Sequence, residues 1–174
     1  MSPDDIKHIV RAQAGDVRAF EQVLRAIEPQ LRGYLNRLLG ARPIAEDVLQ
    51  ETFLRLWRGL GWLRDPLFFR PWAYRIATNE AHRALGRESA REESRADASE
   101  LDALQASFAD PARKLDAERC LAQVSPLARV VLVAHYYEGL SLDEVSAVTG
   151  APLGTVKSRL ASGLTQLRAL MGLP

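Results

Sequence analysis

The feature that most constrains this chain lies near its C-terminus, where Ser141-Leu-Asp-Glu-Val-Ser-Ala-Val-Thr-Gly150 is followed by Ala151-Pro-Leu-Gly-Thr-Val-Lys-Ser-Arg-Leu160. Ser141 and Glu144 have the spacing of a capping box, and Leu142, Val145 and Val148 give the helix it opens an apolar face. Gly150 stops that helix. Pro152 suits the first turn of a second one, where its missing N–H costs nothing. Thr155, Lys157, Ser158 and Arg159 crowd the first two turns of this second helix, placing hydroxyls and cations where phosphates and base edges can be met. The segment reads as a helix-turn-helix and points to DNA; a helical hairpin with a solvated basic face is the plainer alternative.

Helical signals fill the rest of the chain, so the fold class is all-α. Ser2-Pro3, Asp110-Pro111 and Ser125-Pro126 each put a capping side chain before a proline at the first helical position. Helices are predicted near 3–14, 16–39, 43–59, 69–86, 111–123, 126–137, 141–148 and 152–170, with Pro29 a potential break in the second. Val130-Val-Leu-Val could be argued as a strand, but Leu127, Val130, Val131, Ala134 and Tyr137 have the spacing of a buried helix.

Charge divides the chain. Residues 1–87 carry 14 basic and 10 acidic side chains, 88–112 carry 2 and 7, and 113–174 carry 7 and 5, so the total of +1 hides two basic modules around an acidic connector. The connector is poor in large apolar residues and reads as a flexible linker with at most transient helix. Two small helical domains are therefore expected, 1–87 and 113–174, joined by 88–112. No apolar run approaches the roughly 20 residues of a membrane span, and the N-terminus lacks the basic-then-apolar pattern of a secretory signal. A cytoplasmic protein with no membrane insertion is expected. Cys120 is the one cysteine, which excludes an internal disulfide and a multi-cysteine zinc site.

The helix near 43–59 has two faces. Leu49, Phe53, Leu56 and Leu60, with Val48 and Thr52 beside them, form the stripe for the core. Glu46, Asp47, Gln50 and Glu51 lie largely elsewhere; carboxylates in first turns also complement the helix dipole. No histidine stands at ligand spacing, so no metal is expected there. From the last turn of this helix onward come Trp57, Trp62, Phe68, Phe69, Trp72 and Tyr74 with Arg58, Arg64, Arg70 and Arg75 interleaved, a mixture that suits unpaired bases and their phosphates. Helical apolar stripes place Phe53, Trp57 and Trp72 in the core. Trp62, in a loop, is the candidate for stacking. Arg75, Asn79, His82, Arg83 and Gly86 then recur at helical spacing as a polar face, where Asn79 can pair with a base edge.

Four motifs in order resemble the extracytoplasmic-function sigma factors of bacterial RNA polymerase, in the sigma-70 family. They are Gly15-Asp-Val-Arg-Ala-Phe20, Ala45-Glu-Asp-Val-Leu-Gln-Glu-Thr-Phe-Leu-Arg-Leu-Trp57, Phe69-Arg-Pro-Trp-Ala-Tyr-Arg-Ile-Ala-Thr-Asn79 and Gly154-Thr-Val-Lys-Ser-Arg-Leu160. The resemblance implies an alternative sigma factor that directs promoter-specific initiation, and no cofactor, metal or catalytic residue. It gives Asp47, Gln50, Glu51 and Phe53 a contact with the β′ clamp helices of core polymerase. Trp62, Arg75, Asn79, His82 and Arg83 would melt and read the −10 element, with a base flipped into a protein pocket. Thr155, Lys157, Ser158 and Arg159 would read the −35 element as duplex, and the linker would thread the polymerase's RNA path. The β flap and an anti-sigma factor are further implied partners, and the nucleoid the implied location.

Two departures stand out. Where the family usually has an aspartate and then an arginine beyond the Asn79 segment, this chain has Arg83 and Gly86. After Leu160 the family commonly continues with alternating arginines, whereas this chain has Ala161-Ser-Gly-Leu-Thr-Gln, with Ser162 and Leu164 among them. Fewer phosphate contacts flatten the salt dependence of binding, and Gly163 costs helix stability, about 1 kcal/mol relative to alanine. These departures keep a sigma-like decoy that sequesters an anti-sigma factor in play as an alternative. An ordinary helix-turn-helix regulator is a second; His8, His82 and His135 stand isolated and give an enzyme no footing.

Overall fold

The structure, a computed structural model, describes residues 3–40, 43–96 and 112–172. Eight α-helices follow one another among them. These are α1 (Pro3–Gln13), α2 (Val17–Leu39), α3 (Ile44–Gly59), α4 (Phe69–Ala96), α5 (Ala112–Gln123), α6 (Pro126–Leu132), α7 (Leu142–Thr149) and α8 (Leu153–Leu170). The predicted boundaries hold to within a residue or two at most ends. None of the described helices is long and apolar enough to cross a membrane.

The N-terminal unit packs α1 to α4 around Ile9, Phe20, Val23, Leu31, Leu49, Leu56 and Phe69, all buried. Helix α4 turns Ala73, Ala77, Ala81 and Ala84 inward, and these small side chains let it lie close against α3. One buried polar pair is fully matched: Thr78 Oγ1 donates to Tyr74 O at 2.8 Å, so Tyr34 O–H donates to Thr78 Oγ1 at 2.7 Å. Helix α2 runs unbroken through Pro29. Pro29 faces solvent, and the buried Ile27, Leu31, Tyr34 and Leu35 on either side keep the helix continuous across the missing hydrogen bond.

The C-terminal unit packs α5 to α8 around Leu121, Val124, Val130 to Ala134, Leu140, Val145, Val148 and Val156. The run Val130-Val-Leu-Val is helical, as its spacing requires, and α6 passes into a π-helical turn, Val133–Tyr137, closed by Glu138 N–H to Val133 O at 3.1 Å. Leu127 and Tyr137, expected inside, are 50% and 45% exposed. The widened turn shifts the register of everything after Leu132, which takes Tyr137 off the buried face.

Two further expectations are corrected. Ser125 does not cap α6 with its side chain; its N–H donates to Gln166 Oε1 at 3.0 Å and its Oγ accepts from Gln166 Nε2 at 3.4 Å, so the residue is engaged with α8 instead. Helix α4 does not end near 86 but continues to Ala96 into the expected linker, where Glu88, Arg91, Glu92 and Arg95 are good helix formers at i, i+3 and i+4 spacing. The remainder of that linker, and the caps expected at Ser2 and Asp110, lie outside the described residues.

Candidate polymerase and promoter surfaces

On α3 the expected division of faces is realised. Val48, Leu49, Thr52 and Leu56 are buried, while Asp47 and Gln50 are exposed. Glu46 and Asp47 sit in the first turn, where the helix dipole favours them. Glu51 is half-buried and accepts from Arg55 Nε at 3.0 Å. Phe53 is partly buried against the core. Trp57, expected inside, is 39% exposed and leans on Phe20, ring centroids 4.9 Å apart and planes tilted by 49°.

Sequence reasoning passed over Glu80. Its carboxylate is buried at the α3–α4 seam and receives Arg55 Nε at 2.8 Å and Arg83 Nη1 at 2.7 Å. Glu80 thereby fixes one of the expected DNA-reading arginines, and through Arg55 it ties that arginine's helix to Glu51 on the acidic face. The i, i+3 spacing of Glu80 and Arg83 was the available signal.

Arg75, Asn79, His82, Arg83 and Gly86 are all exposed and form one stripe along α4. Partial burial alone lowers the pKa of His82, so at neutral pH it presents a neutral imidazole. Trp62 is 87% exposed on a loop of two short 3-10 turns, Leu60–Trp62 and Pro66–Phe68. Leu67 and Phe68, not among the expected site residues, are exposed on the same loop, and Asp65 Oδ1 accepts from Leu67 N at 2.9 Å to shape its second turn. The loop is tied to α1, since Gln13 Nε2 donates to Leu60 O at 3.1 Å and to Leu63 O at 2.7 Å. Trp72 is partly buried behind the loop, close enough that a Cβ on Gly59 would lie 3.0 Å from its ring.

The helix-turn-helix is built as its sequence demands. Glu144 N–H donates to Ser141 Oγ at 3.2 Å while Ser141 N–H donates to Glu144 Oε2 at 2.8 Å, completing the capping box. Gly150 takes φ 68°, the left-handed conformation that ends α7. Ser146 Oγ donates to Ala151 O at 2.6 Å and stitches the turn to α7. At the start of α8, Lys157 and Ser158 are exposed and Thr155 and Arg159 half-buried. Ser158 spends its hydroxyl proton on Thr155 O, 2.9 Å away, and keeps its lone pairs for a donor.

Residues 23–91 match the family model for sigma-70 region 2, and residues 114–167 match that for sigma-70 region 4. The RNA polymerase sigma-H factor of Pseudomonas aeruginosa is 30% identical over 90% of this chain and 88% of its own length. The sigma factor CarQ of Myxococcus xanthus is 31% identical over 93% of this chain and 94% of its own. Among solved structures, CnrH in complex with the cytosolic domain of CnrY superposes with a TM-score of 0.71 at 26% identity, covering 97% of each chain. This chain therefore belongs to the extracytoplasmic-function sigma factors of the sigma-70 family. It is an alternative sigma factor directing transcription initiation, a non-enzymatic partner of RNA polymerase and promoter DNA.

Proposed function

We propose that the N-terminal domain, 1–87, binds core polymerase and opens the −10 element, that the C-terminal domain, 113–174, reads the −35 element, and that 88–112 connects them. Asp47, Gln50, Glu51 and Phe53 meet the β′ clamp helices. Thr155, Lys157, Ser158 and Arg159 enter the major groove, and the C-terminal domain also meets the β flap. The observation that carries the −10 assignment is the stripe of Arg75, Asn79, His82 and Arg83, exposed side by side on α4, with Trp62 standing out from the preceding loop. Cations to hold a strand, an amide to pair with a base edge and a ring to stack on are the three elements that single-strand capture needs. An anti-sigma factor is the proposed regulator, in keeping with the likeness to CnrH in its complex with the cytosolic domain of CnrY. The protein works in the cytoplasm, at the nucleoid.

Permanganate footprinting of open complexes tests the reading. Asn79→Ala should lose roughly 1–3 kcal/mol of discrimination at one −10 base. Trp62→Ala should slow opening without altering −35 duplex binding. Footprints and opening rates identical to wild type in both variants would remove the −10 assignment.

A further inference from the structure

Trp62 is the most exposed of the large apolar side chains among the described residues, at 87%, yet the backbone that carries it is held from both sides. One side chain does this. The two N–H groups of the Gln13 amide reach Leu60 O at 3.1 Å and Leu63 O at 2.7 Å, the carbonyls that bracket Gly61 and Trp62. Gln13 is itself well anchored. It is the last residue of α1, whose Ile9 and Ala12 are buried, and the turn that follows is closed by Gly15 N–H to Ala12 O at 3.0 Å and Asp16 N–H to Arg11 O at 3.1 Å. Arg11 then pairs with Asp16 at 2.7 Å, and Asp16 caps α2 by accepting from Ala19 N at 3.0 Å. A chain of fixed contacts thus runs from α2 through the α1 terminus to the Trp62 turn.

An indole on a loose loop must be ordered before a base can stack on it, and ordering it in advance removes that entropic cost from the capture step. We propose that Gln13 is a positioning residue for promoter opening: its two hydrogen bonds set the Trp62 turn in the conformation that captures an unpaired −10 base. The inference rests on the assignment of Trp62 to the −10 strand. Gln13 acts through Trp62 and touches no DNA. It also precedes residues 23–91, the span matched as region 2, so it extends the opening machinery to a helix outside that match.

A double-mutant cycle tests it, read as the rate of open-complex formation with core polymerase on a −10-dependent promoter. Gln13→Glu keeps the shape, removes both donors and sets a carboxylate against two carbonyl oxygens; it should slow opening about tenfold. Gln13→Lys, which restores a donor of similar reach, should recover most of the rate. Core-polymerase affinity and −35 duplex binding should be unchanged in both, which general structural damage would not permit. In a Trp62→Ala background Gln13→Glu should slow opening by a further factor of about two or less. Should Gln13→Glu fail to fold, Gln13→Met removes the donors without adding charge and enters the same cycle. Wild-type opening in the donor-deficient variant overturns the positioning role and leaves Trp62 in place, as does a slowing that persists undiminished beside Trp62→Ala. If Trp62→Ala alone opens promoters normally, the −10 assignment fails and the inference falls with it.

Discussion

A Cβ placed on Gly163 would lie 2.9 Å from Leu132 Cδ1, 3.1 Å from Leu132 Cγ and 3.2 Å from Ala128 Cβ. Helix α8 reaches α6 this closely because residue 163 has no side chain. Gly163→Ala gains about 1 kcal/mol of helix propensity but incurs about 1–3 kcal/mol of overpacking, and should lower stability. Gly86, exposed within α4, has no such conflict, since a methyl group there would meet no neighbour within 4 Å, and Gly86→Ala should raise stability by about 1 kcal/mol. Urea melts of the two variants check this; midpoints that move the same way would contradict it. Residues whose partners are near in sequence were legible in advance, as Ser141 with Glu144 shows. Ser125 misled because its partner, Gln166, comes from another helix, and Gln13 was silent because the carbonyls it holds lie across a loop it does not adjoin.

The helices themselves were largely written in the periodicity, since an apolar stripe and its caps are local. Where an element departs from expectation the cause is not local. The π-helical turn after Leu132 is set by how Glu138 and Leu140 must return to the core, and Leu140 N–H closes on Ala134 O at 3.1 Å. Helix α4 outruns its expected end, and the sequence past Gly86 remains rich in helix-forming residue types. Helix α3 carries the prediction at this scale. Asp47 is exposed and Glu51 only half-buried in a surface pair with Arg55, so reversing both charges leaves the buried side untouched. Asp47→Lys with Glu51→Lys should abolish co-purification with core polymerase while far-UV circular dichroism stays at the wild-type value. A double variant that still co-purifies would reassign this face.

Across the whole molecule, the two units meet at Glu138, whose side chain is 6% exposed. Tyr74 O–H donates to Glu138 Oε2, Arg37 Nη1 stands 3.9 Å from Oε1, and Arg70 donates to the Glu138 backbone oxygen. Arg37 also lies over the Tyr137 ring at 4.4 Å, and Arg129 Nη1 donates to Leu38 O at 3.0 Å. Burial first, and the neighbouring carboxylate with it, push the Tyr74 phenol far above its ordinary pKa, so it remains a donor throughout the physiological range. Tyr74→Phe should cost about 1.5–3 kcal/mol, the worth of a hydrogen bond to a charged group. Glu138→Ala should enlarge the radius of gyration in X-ray scattering without loss of helix; an unchanged scattering profile would show that these contacts do not hold the units together. The sequence announced the two units through charge and motif but not this junction, because its members, Arg37, Tyr74 and Glu138, come from distant segments. The most direct measurement of what the whole molecule does is to mix the purified chain with core polymerase and genomic DNA and sequence the transcripts. Specific 5′ ends that share two upstream motifs at a fixed spacing are the predicted result, diminished by Lys157→Ala and further by Arg159→Ala wherever the −35 motif is needed. Core polymerase that stays silent with the wild type and both variants alike, while all three still compete for an anti-sigma factor, would contradict the account and make the chain a decoy.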